Sequence, residues 1–178
     1  HSSLLALLTV GIPTLALAAW ARPGPPKKDL VRWLLRFTVP SSISISLFGL
    51  LVYILTLGWR TGWTHPQPDS PELLAAQTAL TIFTILCGLV LIPFVEPPTR
   101  FFTGGDRLSG DWRPTWMAIG IAILFIVLLA VPSLSALFDL VALQWWEYLA
   151  LVILTVLWAI VCRWTWRTRL VDRLFRSE

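Results

Sequence analysis

Leu73–Val95, LLAAQTALTIFTILCGLVLIPFV, carries no charged residue. It exceeds the roughly 20 apolar residues that an α-helix needs to cross a hydrocarbon core about 30 Å thick. Its residues do not alternate between apolar and polar, and the run is about twice the length of a barrel strand, so a membrane β-barrel is excluded. Four further runs read the same way: Ser3–Trp20, Val39–Gly58, Trp116–Val131 with its flanks, and Ala142–Val161. The fold class expected is all-α, an integral membrane helical bundle of about five transmembrane helices. Its spans are placed at about 3–20, 39–58, 73–95, 115–132 and 142–162, in a single transmembrane domain over 1–178. Pro40, Pro66, Pro68, Pro71, Pro97, Pro98, Pro114 and Pro132 fall mostly at or beyond the ends of these runs. Proline interrupts helical hydrogen bonding and restrains the residue before it, so these positions mark boundaries. Pro13 is the exception, in the middle of the first run.

Composition agrees with a membrane setting. Hydrophobic residues make up 56% of the chain and charged ones 13%, against about 25% charged in a soluble domain. Mean hydropathy is +0.74, and 11 Trp residues suit a protein with many boundaries between apolar and wet surroundings. The net charge of +4 would raise nucleic-acid binding in a soluble protein. Here the basic residues flank apolar runs, so lipid headgroups account for them and no nucleic-acid partner is expected. Cys87 and Cys162 lie within or at the end of apolar runs and read as small apolar residues. The chain opens on His1-Ser2-Ser3 and enters an apolar run almost at once, without the basic n-region of a signal peptide. The expectation is a sequence that begins inside a longer polypeptide.

Thirteen of the fourteen Lys and Arg residues fall in 21–38, 96–114 and the tail 163–178. In a five-span arrangement these three segments share one side, and the opposite loops hold only Arg60. By the positive-inside rule the basic side is cytoplasmic. The N-terminus is then outside, the C-terminus inside, and 21–38 and 96–114 are cytoplasmic loops. Asp29–Phe37 spaces Leu30, Trp33, Leu34 and Phe37 helically opposite Arg32 and Arg36, as in a short amphipathic helix at the interface. Arg163–Phe175 repeats the pattern. Attraction to anionic lipid explains both, and docking onto a soluble domain is the alternative.

No catalytic constellation appears. His1 and His65 have no second ligand at metal-binding spacing, and no nucleophile triad or phosphate-cradling glycine loop is present. Catalytic and cofactor-binding residues are therefore expected to be none. Glu96 and Glu147 sit at run ends and Asp139 in an outside loop, where each reads as a solvated boundary carboxylate. Within the first run, Gly11 and Pro13 form a helix break in Thr9-Val10-Gly11-Ile12-Pro13-Thr14. Proline lacks the N–H and clashes with the carbonyl one turn back, while glycine departs from helical geometry at low steric cost. The pair either unwinds the helix and frees carbonyl oxygens toward a cavity or produces a kink. In the third run Gln77, Thr81, Thr84 and Gly88 share a face with Thr78 beside them. This polar stripe serves either helix packing or an ion path. Ser41, Ser42, Ser44 and Ser46 at the head of the second run read as interfacial.

The chain resembles the C-terminal membrane half, helices six to ten, of a bacterial P-type cation-transporting ATPase, in particular the branch of mycobacterial CtpE-like calcium transporters. The resemblance rests on LLTVGIPTLALAAWARPG (7–24), LLRFTVPSS (34–42), QTALTIFTILCGLVLIPFVEPP (77–98) and DWRP (111–114). The family's sixth membrane helix has a Gly-x-Pro break, matched by Gly11-Ile12-Pro13. The resemblance implies a parent in the bacterial plasma membrane that couples ATP hydrolysis, through a phosphorylated Asp, to cation movement. ATP and Mg²⁺ would serve that parent; no cofactor is implied for this fragment, which would be inactive alone. The DKTG, TGD and GDGxND motifs and five membrane helices would lie in an N-terminal half that becomes its partner, along with the bilayer and a divalent or monovalent cation. The well-known calcium pumps place an Asp immediately before the Gly and an Asn four residues earlier; here those positions are Val10 and Ala6. That leaves backbone carbonyls at Val10, Gly11 and Ile12, with Thr9 or Thr14, as the candidate metal path, and oxygen ligands suit hard cations. A free-standing five-span subunit or scaffold without enzymatic activity is the alternative; a secondary transporter would want inverted repeats or intramembrane charge, and neither is present.

Overall fold

Lipid offers no partner to a bare N–H or C=O, so an uncharged apolar segment closes its backbone hydrogen bonds on itself. All regular structure among the described residues is accordingly helical. A computed structural model describes residues 11, 15, 30–63, 70–95 and 112–167. Within these, α1 is Leu30–Thr61, α2 Pro71–Val95, α3 Arg113–Ala130, α4 Pro132–Leu137 and α5 Trp145–Arg167. Four are long and apolar enough to span a membrane, over Thr38–Thr61, Pro71–Phe94, Arg113–Ala130 and Trp145–Thr165. Of the expected first span at 3–20 only residues 11 and 15 are described, and 21–29 and 96–111 lie outside the described residues.

Helix ends follow local chemistry. Ser70 caps α2: its hydroxyl oxygen accepts the N–H of Leu73 at 3.3 Å, with Pro71 in the first turn. At the end of α1, Gly62 turns left-handed at φ 59 and Trp63 follows at φ 63. The Trp63 N–H then reaches back to the Gly58 carbonyl at 3.1 Å, a Schellman-type closure. Val131 is extended (φ −99, ψ 108) between α3 and α4, because Pro132 pushes its predecessor out of helical geometry. The turn of α4 ends the same way as α1: Asp139 is left-handed at φ 53 and Leu140 N–H bonds the Ser135 carbonyl at 3.0 Å. Asp139 is exposed, as a boundary carboxylate should be.

One expectation is corrected at this level. Asp29–Phe37 is not a separate interfacial helix, because α1 runs without interruption from Leu30 through Pro40 to Thr61. Pro40 removes one donor and releases the carbonyl one turn back, near the head of the helix where water or headgroups can take it up. Between α3 and α5, the short helix α4 folds over Pro132–Leu137. At the other end of the chain, α5 carries on through Arg163 and Trp164 to Arg167; residues 168–178 lie outside the described set.

The second described helix is the axis of the bundle. In its spanning window 61% of residues are buried, against 22% for α1 and α3 and 28% for α5. It packs against all three, and α1 also packs against α5. Phe83, Ile85, Cys87, Ala75 and Ala76 on α2 are wholly enclosed, with Val52, Phe125 and Trp158 contributed by the others. Lipid tails are as apolar as leucine, so close van der Waals fit holds helices together here. Gly49 shows that fit: a Cβ there would stand 2.9 Å from Leu80 Cδ1. Outward, α1, α3 and α5 present Leu47, Leu50, Ile123, Ile126, Val152 and Ile153, all about half exposed.

Candidate functional site

Polar groups inside a membrane bundle either satisfy themselves, hold neighbours, or line a path. Most of the α2 hydroxyls satisfy themselves. Thr81 Oγ1 donates to the Gln77 carbonyl and Thr84 Oγ1 to the Leu80 carbonyl, each at 2.8 Å. The stripe is split in its surroundings: Thr78 and Thr81 are buried, Thr84 is partly buried and Gln77 is exposed. Thr78 faces elsewhere. Its Oγ1 accepts the N–H of Val141 at 3.2 Å, tying the approach to α5 onto the first turns of α2.

A second polar seam joins α1 to α5. The indole N–H of Trp158, a residue with no exposed surface, donates to Ser44 Oγ at 3.0 Å. Ser44 Oγ in turn donates to the Ser41 carbonyl at 2.9 Å. Ser41 Oγ and Cys162 Sγ stand 3.9 Å apart in the same buried layer. The expected interfacial role does not describe Ser41 and Ser44. Ser42 and Ser46 are exposed, whereas Ser41 is buried and Ser44 partly so, because the i, i+3 spacing turns them onto α5. Both cysteines are free and buried.

The opposite end of α1 and α5 holds an ion pair. Arg60 Nε donates to Glu147 Oε1 at 2.9 Å and Arg60 Nη2 to Oε2 at 2.6 Å, a two-pronged fit of guanidinium to carboxylate. Glu147 Oε2 also accepts the Gln144 N–H at 2.7 Å, while Glu147 N–H bonds the Gln144 carbonyl at 2.9 Å. Glu147 is thus the third-position glutamate of a capping box at the start of α5. Trp59 and Trp146 meet edge to face beside the pair, with centroids 5.8 Å apart. The expectation of a solvated Glu147 is corrected: the residue is 6% exposed, because α1 brings Arg60 over it.

Of the expected cation path, Thr9, Val10, Ile12 and Thr14, together with Pro13, lie outside the described residues. Gly11 is described: it sits in a π-helical turn and is partly buried. Such turns widen the hydrogen-bond register by one residue and recur at functional sites. No cluster of three or more His, Cys, Asp or Glu that could hold a metal occurs among the described residues.

Residues 4–167 match the family described as cation transporting ATPase, C-terminus. The chain belongs to this family. It is a multi-pass membrane segment of P-type cation-transporting ATPases, which are larger proteins. No curated protein and no solved structure matches the chain. The family match runs across Gly11 and Pro13 and all the described helices, ending with α5.

Proposed function

We propose that the chain supplies helices six to ten of its parent ATPase and that Thr9, Val10, Gly11, Ile12 and Thr14 border the cation path. The observation that carries this reading is the π-helical turn at Gly11, two residues before Pro13, inside the matched region. A widened turn shifts the helical register by one residue, and a proline two residues on withholds one N–H from the carbonyl a turn back. Backbone carbonyls with threonine hydroxyls beside them are the oxygen chemistry that suits a hard cation, with Ca²⁺ the proposed cargo. The hydroxyls of Thr81 and Thr84 are turned to their own backbone, which favours packing over ion passage for that stripe. The basic end of the bundle, with Arg113 opening α3 and Arg163 near the end of α5, faces the cytoplasm in this reading. ATP and Mg²⁺ act in catalytic domains upstream of this region, and the membrane is the bacterial plasma membrane. Sequencing the coding DNA upstream of His1 tests the assignment. An in-frame DKTG-containing region is expected; a start codon with a ribosome site immediately before His1 would instead identify a free-standing subunit.

A further inference from the structure

Arg60 is separated from every other described basic residue by the length of the bundle. Arg113, Arg163 and Arg167 lie at the ends of α3 and α5 opposite the Arg60–Glu147 pair. A guanidinium at the apolar rim of a span needs water or a counter-charge. Its carboxylate partner arrives 87 residues later in the chain.

We propose that Arg60 and Glu147 form a charge latch that closes this end of the bundle once α5 is in place, with Arg60 the member that cannot be spared. Side-chain exposure separates the two members: 23% for Arg60 and 7% for Glu147. Arg60, left alone, can extend its guanidinium toward water. Glu147, left alone, keeps only the Gln144 N–H as partner and remains an enclosed carboxylate without a counter-charge. The capping box gives Glu147 a place in α5 before α1 docks, so the last span presents a fixed two-oxygen acceptor to the incoming guanidinium. Trp59 and Trp146, the chain neighbours of the two members, meet edge to face. This latch is independent of the cation-path reading.

The test is a four-member cycle in the full-length protein: wild type, Arg60→Gln, Glu147→Gln and the double variant, followed by thermal melting in detergent micelles. Glutamine at 147 retains an amide oxygen for the Gln144 N–H, so the cap survives in every member. Arg60→Gln is expected to lower the midpoint more than Glu147→Gln does, and the double variant to melt above Arg60→Gln. Limited proteolysis of the 62–70 and 131–144 loops should rank the proteins in the same order. If Arg60→Gln yields no folded protein, recovery of folded material in the double variant supports the latch. Equal midpoints in all four proteins, losses that simply add, or a double variant no better than Arg60→Gln would overturn it.

Discussion

Thr78 illustrates how a single hydroxyl can decide where a loop settles. Replacing it with valine keeps the volume but leaves the Val141 N–H without its acceptor, and an orphaned enclosed donor costs about 1–3 kcal/mol. Denaturant titration in mixed micelles should register that loss in Thr78→Val and a smaller one in Thr78→Ser, which restores the acceptor. Trp158→Phe should cost about 1 kcal/mol through the lost bond to Ser44, with a further penalty for the volume removed. The sequence displayed these residues without their roles. Glu147 stands at the edge of an apolar run, where a carboxylate ordinarily meets water, and nothing local points to a partner in a different helix. Ser44 and Trp158 are likewise joined only by tertiary packing. Thr81 and Thr84 were legible, since a threonine in an apolar helix has its own carbonyl one turn back within reach.

At the scale of elements, length and uninterrupted apolarity identified α2, α3 and α5, because a charge-free run in lipid has no alternative to the helix. The continuity of α1 through Pro40 was not legible. A proline signals a boundary by its missing bond, but a boundary at the rim of the membrane can supply water to the freed carbonyl and let the helix continue. The other end of α1 depends on Gly62 in left-handed geometry. Gly62→Ala should cost about 1–2 kcal/mol by forcing a Cβ into that region. The same substitution should make the loop after Thr61 more accessible to protease. If Gly62→Ala melts with the wild type, the closure through Trp63 does not hold α1 in place.

For the whole molecule, one central helix clasped by three others leaves wide apolar faces outward, and the ends carry Trp in two belts. Trp59, Trp63 and Trp145 lie at the end closed by the ion pair, and Trp112, Trp116 and Trp164 at the basic end. The proposed orientation predicts that a membrane-impermeant thiol reagent labels Trp63→Cys in intact cells and Trp164→Cys only after permeabilisation. The native Cys87 and Cys162 are buried and should contribute little background. The reverse labelling pattern would invert the bundle and place the arginines outside. The proposed cation path depends most on a helix break at Gly11 and Pro13, and its most direct test is cation-stimulated phosphoenzyme formation in the complete parent ATPase carrying Gly11→Ala and Pro13→Ala. A shift of the half-saturating cation concentration by about tenfold or more is expected, equivalent to about 1.4 kcal/mol of lost binding. An unchanged cation dependence would mean that the break shapes the helix and takes no part in the path.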